Sequence, residues 1–78
     1  MTRKLSNVKA RQVRRLLRSL GYEPLPKRGK GSHEQWRHPL TGRWTTLSWK
    51  TNDLVPTGTV KRIATDLGLS TAEFLGRL

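Results

Sequence analysis

The chain has 78 residues, with 16 Lys and Arg against 5 Asp and Glu, a formal net charge of +11 at pH 7. That length suits one domain, expected to span residues 1–78, just above the size at which folding usually needs disulfides or a metal. Cysteine is absent, which excludes disulfides, thiolate metal sites and a cysteine nucleophile. No apolar run approaches the roughly 18 residues of a membrane span. There is no apolar signal-peptide core either, so the expected location is cytoplasmic, with no membrane partner.

The charge is uneven. Residues 1–30 carry ten Lys and Arg and one acid, Glu23, whereas residues 31–78 carry six Lys and Arg and four acids. Such a density on a small domain attracts polyanions, of which nucleic acid is the commonest. An anionic membrane surface or an acidic protein fits the same charge.

In chain order, Ser6 or Asn7 is placed to cap a first helix that runs to about Leu20 and stops at Gly21. Val13, Leu16, Leu17 and Leu20 form its apolar stripe, with Ala10 alongside. Arg11, Arg14, Arg15 and Arg18 cluster on the opposite side. A solvated helix back is the plainest reading of those arginines. A membrane-surface helix is weaker, because the stripe lacks an anchoring Trp or Phe. A transit peptide is rejected, because removing it leaves too few aliphatic residues for a core. Contact with RNA or with a protein partner stays open.

Tyr22 to Pro26 holds two prolines and is expected to form an edge strand or an extended arm. A basic glycine turn, Lys27 to Gly31, leads to a second strand from Ser32 to His38. Pro39 to Gly42 reads as a hairpin turn, and Arg43 to Lys50 as a third strand rich in Trp and Thr. A loop through Asn52, Asp53 and Pro56 precedes a second helix that starts near Thr57. Val60, Ile63, Ala64 and Leu67 make its stripe, and Gly68 is its stop. Ser70 to Glu73 matches a capping box, with Leu69 and Phe74 placed as a hydrophobic staple for a short last helix. The expected fold is α+β: αβββα, a three-stranded antiparallel sheet with helices on one face, plus a short extra C-terminal helix.

Little in this order supports catalysis by familiar clusters. The two histidines, His33 and His38, lack metal-ligand spacing, and the five acids are scattered. No cofactor and no metal is expected. Ser32 beside His33 is not a triad, since adjacent strand residues face opposite ways. Strand alternation puts His33, Gln35 and Arg37 on one face, and Ser32, Glu34, Trp36 and His38 on the other. Trp36 belongs with the helices, which leaves His33 on the open face beside a basic loop. An imidazole that titrates near neutrality among phosphate-attracting cations suits RNA cleavage, in which the ribose 2′-OH is an internal nucleophile. Composition and spacing alone support a basic nucleic-acid-binding domain. His38, followed by Pro39 at a turn, reads as structural.

The residues also resemble a family. The first helix ends in Leu20-Gly21-Tyr22. After it come Gly29-x-Gly31-Ser32-His33-x-x-Trp36-Arg37-His38-Pro39 and Gly58-Thr59-Val60-x-x-Ile63-x-x-x-Leu67-Gly68-Leu69-Ser70, and the tail is Glu73-Phe74-Leu75. From about Ser6 onward this order is similar to the HicA toxin family. The resemblance implies a double-stranded-RNA-binding-domain-like fold and a ribosome-independent endoribonuclease that cleaves mRNA. It further implies a HicB-like antitoxin protein that covers the site, in a bacterial or archaeal cytoplasm. The family's catalytic histidine falls on His33. Where many members have a second histidine at the end of the third strand, this chain has Lys50, a cation suited to phosphate contact but not a neutral base.

The leading expectation is a metal-independent endoribonuclease toxin in which His33 acts as acid or base. Lys30, Arg28 and the Gly31 backbone amide would stabilise developing negative charge, Gln35, Arg37 and Lys50 would hold flanking phosphates, and Lys27 and Ser32 are further RNA-binding candidates. Single-stranded or loop RNA is the expected substrate, because A-form grooves hide the bases. The alternative is a non-catalytic RNA-binding module of the same fold. A DNA-binding domain ranks last, because the second helix offers only Lys61, Arg62 and Asp66 for base reading.

Overall fold

The computed structural model describes residues 4–26, 34–48 and 53–78. A short 3-10 turn, Leu5–Asn7, precedes helix α1, Ala10–Ser19. Strands β1 (Glu23–Pro24), β2 (Glu34–Arg37) and β3 (Trp44–Leu47) follow, then helices α2 (Thr57–Asp66) and α3 (Thr71–Gly76). The strands form one antiparallel sheet in the order β1-β2-β3. This is the α+β arrangement expected from the hydrophobic pattern, and it is the double-stranded-RNA-binding-domain-like fold that the resemblance implies.

Helix α1 starts later than the Ser6 or Asn7 cap would have it. Lys9 is the N-cap, and its backbone N–H donates to the Gln12 side chain at 2.8 Å. The cause is tertiary. Val8 is fully buried in an extended conformation, and its carbonyl accepts from the Val55 N–H at 2.8 Å. Lys9 forms an antiparallel bridge with Leu54. Pairing with the segment before α2 thus holds residues 8 and 9 out of the helix and ties the two helix starts together. The other end follows local rules. Gly21 takes φ of +90°, Gly21 N–H donates to Arg18 O at 3.1 Å, and Tyr22 N–H donates to Leu17 O at 2.9 Å. This left-handed cap satisfies the last carbonyls and brings buried Tyr22 back over buried Leu17.

β1 is an edge strand, as Pro24 demands: Pro24 pairs with Trp36 and Glu23 with Arg37. The Leu25 N–H donates to Gln35 O at 2.8 Å, so the β1–β2 pairing continues one residue further. β2 and β3 pair Glu34 with Leu47, Gln35 with Thr46, Trp36 with Thr45 and Arg37 with Trp44. Both strands are shorter than the 32–38 and 43–50 expected, and residues 32, 33, 49 and 50 lie outside the described residues. His38 begins the hairpin turn instead of ending β2. Its Nδ1 accepts from the N–H groups of Leu40 and Thr41, each at 3.2 Å, and its ring meets Tyr22 edge-on at 5.2 Å. The structural reading of His38 fits these contacts.

Alternation decides what each face of the sheet does. Trp36, Thr45 and Leu47 are buried beneath the helices, while Gln35, Arg37 and Trp44 are exposed on the other side. The inner residues join Val13, Leu16 and Leu17 of α1, Val60, Ile63 and Ala64 of α2, and Phe74 and Leu75 of α3 in one core. Buried Thr45 would be costly without a partner, and its hydroxyl donates to Asp66 Oδ2 at 2.9 Å. Arg62 bridges the same junction, donating to Asp66 Oδ2 at 3.0 Å and to Thr46 O at 2.9 Å. α3 carries the expected capping box, in which Ser70 N–H donates to Glu73 Oε1 and Glu73 N–H donates to Ser70 Oγ, both at 3.1 Å. Phe74 is fully buried and Leu69 packs on the core, as a hydrophobic staple requires.

Candidate nucleic-acid interface

Of the residues expected at the site, Gln35 and Arg37 are described, and both stand on the open face of β2. His33, Lys27, Arg28, Lys30, Gly31, Ser32 and Lys50 lie outside the described residues. The strand that His33 leads into is held from the helical side by one carboxylate. Glu34 accepts from Arg14 Nε at 3.1 Å, from Arg14 Nη2 at 3.2 Å and from Trp36 Nε1 at 3.1 Å. The Arg14 and Glu34 side chains are only 16% and 23% exposed. A bidentate guanidinium–carboxylate pair with this little water is stiff and directional. It fixes the first residue of β2 against α1.

The arginine back of α1 is therefore two groups. Arg14 is half-buried in the Glu34 pair, and the Arg18 guanidinium sits 5.2 Å from the Trp36 ring centroid, at cation–π range. Both lie on the flank of the helix that the sheet approaches. Arg11 and Arg15 are exposed, and neither side chain has a hydrogen bond or ion pair to another described residue. α2 makes a poor DNA-reading helix, because Arg62 and Asp66, two of its three polar candidates, are bonded to each other and to β3.

Two residues of the open face escaped the sequence reading. Trp44, 58% exposed, sits opposite Arg37 in the register, and Leu25 is 39% exposed beside Gln35. Leu25, Gln35, Arg37 and Trp44 together line a shallow depression of about 250 Å³. The signal for Trp44 was present in the segment Trp44-Thr45-Thr46-Leu47, since a buried Leu47 puts Trp44 outward by alternation. Away from this face, burial raises the Tyr22 phenol above its usual pKa, Asp66 adds to the rise, and Arg43 opposes it. The backbone and side-chain hydrogen bonds from Ser70 hold the Glu73 carboxyl below the ordinary glutamate value.

Sheet, helices and cationic surface define a small basic domain of the double-stranded-RNA-binding-domain-like class, one face roofed by helices and one open. No helix among the described residues is long and apolar enough to cross a membrane. The family model for the HicA toxin of bacterial toxin-antitoxin systems matches residues 10–69, from the first residue of α1 to the link between α2 and α3. The chain belongs to the HicA toxin family, and with that family it is a toxin of a toxin–antitoxin system. No curated protein and no solved structure matches the chain.

Proposed function

We propose that this toxin is an endoribonuclease that cleaves mRNA without a metal, with His33 as its proton-transfer residue, and that a HicB-like antitoxin protein neutralises it. The observation that carries the reading is family membership across a span that includes Gly31-Ser32-His33. The net charge of +11 and an open sheet face bearing Gln35 and Arg37 support RNA as the target.

In the reaction the 2′-oxygen attacks the adjacent phosphorus, the O2′–P bond forms and the P–O5′ bond breaks. The 2′-OH proton is removed and a proton reaches the departing 5′-oxygen. His33 handles one of these two protons. Arg28, Lys30 and the Gly31 amide stabilise charge on the phosphoryl oxygens, and Lys27 and Ser32 contribute further RNA contacts. Gln35, Arg37 and Lys50 hold flanking nucleotides.

Expression in a bacterial host tests the reading. The toxin arrests growth, His33→Ala abolishes the arrest, and co-expression of the neighbouring gene product restores growth. Salt-sensitive RNA binding with no arrest and no cleavage would instead make the protein a binding module of the same fold.

A further inference from the structure

The geometry points to a nucleobase-binding subsite on the open sheet face, in which Trp44 stacks one unpaired base of single-stranded RNA between Leu25 and Arg37. This subsite rests on the proposal that the toxin acts on RNA, and it assigns the nucleotide that lies beyond the scissile one.

Trp44 is the largest exposed apolar side chain among the described residues that face away from the core, and it is not edge debris from a frayed strand. It starts β3 in register with Arg37, next to the Gln35–Thr46 pair. Leaving a Trp this exposed wastes much of the apolar burial an indole supplies. Its neighbours in the depression are the polar Gln35 and Arg37 and the partly exposed Leu25. The side chains of Gln35 and Arg37 have no hydrogen bond or ion pair to another described residue. The depression that these residues share with Leu25 is about 250 Å³. That is smaller than the ~300–1,000 Å³ typical of sites for drug-sized ligands. It suits one flat ring system laid on the surface.

The chemistry of the lining selects a nucleotide. An indole face takes any base by stacking, which is how sheet-based readers hold single strands. The Arg37 guanidinium meets the phosphate that comes with the base, and the Gln35 amide offers both a donor and an acceptor to a base edge. Glu23 pairs with Arg37 across the β1–β2 ladder, on the same face. It is the single acid there among the described residues, and it accepts hydrogen bonds from an exocyclic amine while disfavouring a second phosphate. A duplex is excluded as the occupant, because its bases are stacked on each other and present no free face to Trp44. Along the strand, Glu34, the residue after His33 in the chain, and Arg37 are three residues apart, about 10 Å. The subsite is therefore separated from the start of β2 and serves to hold and register the strand.

The test is equilibrium binding of a short single-stranded oligoribonucleotide with 2′-deoxy sugars at the cleavable positions, so that it stays intact. Wild type, Trp44→Ala and Trp44→Phe are compared at several salt concentrations. Each variant's fold is checked by its thermal melt, and exposure of the side chain predicts near-wild-type stability. Trp44→Ala should weaken binding roughly 5- to 150-fold with an unchanged salt slope, the loss expected of one stacked base. Trp44→Phe should retain most of the affinity, and the Trp44→Ala effect should disappear against an oligonucleotide made abasic at the position that occupies the subsite. Wild-type affinity in Trp44→Ala would overturn the subsite and leave the RNA-cleaving reading standing. The same holds if Trp44→Ala weakens only the antitoxin complex, which would make the face a protein contact. Failure of the wild type to bind RNA at all would overturn both.

Discussion

Replacing Glu34 with Ala removes the carboxylate that joins α1 to β2 and gives the most demanding test of how the strand is positioned. Among the described residues three hydrogen bonds disappear together: two from the Arg14 guanidinium and one from the Trp36 indole N–H. Breaking a fully buried ion pair from one side costs about 3–5 kcal/mol. The pair here keeps some water, at 16% and 23% exposure, so the cost is scaled down to about 2–3 kcal/mol. For a domain of this size each kcal/mol moves Tm by roughly 4–8 °C, so a fall of roughly 10–20 °C is expected. Circular-dichroism melts of wild type, Glu34→Ala, Arg14→Ala and the double variant give the stability loss and the coupling. The coupling should exceed 1 kcal/mol, about the ceiling for an exposed pair. A Glu34→Ala variant within about 0.5 kcal/mol of wild type, the range of an ordinary surface substitution, would refute the clamp.

Three further outcomes follow from other parts of the molecule. Gly21→Ala should lose about 1–2 kcal/mol, because φ of +90° is a conformation that L-residues resist, and its new Cβ would stand 3.1 Å from His38 Nε2; an unchanged Tm contradicts this. Arg11→Gln/Arg15→Gln should stay within about 0.5 kcal/mol of wild type, whereas Arg14→Gln alone should cost more; equal effects would mean that the arginines form one undivided face. The folded-state pKa of Glu73 is depressed, so its contribution to stability is present above the ordinary glutamate value and is lost as pH falls through the folded one. The Tm gap between wild type and Glu73→Ala should accordingly narrow in acid, and a gap independent of pH would exclude the capping carboxylate as its source.

Local signals located most of the elements, and long-range pairing accounts for the departures. The Gly21 and Gly68 stops, the Ser70 to Glu73 box and Pro24 of the edge strand are short-range features, and each acts where the sequence places it. The start of α1 is different: Ser6 and Asn7 are good caps, but burial of Val8 against the segment before α2 outweighs them. A helical wheel also cannot show which flank the sheet will approach, so Arg14 and Arg18 looked equivalent to Arg11 and Arg15. Thr45 reads as an ordinary strand residue until Asp66, 21 residues away, supplies its hydrogen bond. At the candidate site, alternation correctly turned Gln35 and Arg37 outward and Trp36 inward. The same rule applied to β3 would have drawn Trp44 into the site. His33 and its basic loop rest on sequence order and family membership.

The measurement that bears most directly on the toxin's chemistry is cleavage of a defined transcript in excess EDTA by wild type and His33→Ala. The substrate is compared with one carrying a single 2′-deoxy sugar at the scissile position. Wild type should cut the all-ribose transcript in EDTA, spare the deoxy position, and leave a 5′-hydroxyl on the downstream fragment. His33→Ala, folded by its thermal melt, should fail to cut. Undiminished cleavage by His33→Ala, or cleavage at the deoxy position, would contradict the assignment of His33 and of the 2′-oxygen as nucleophile.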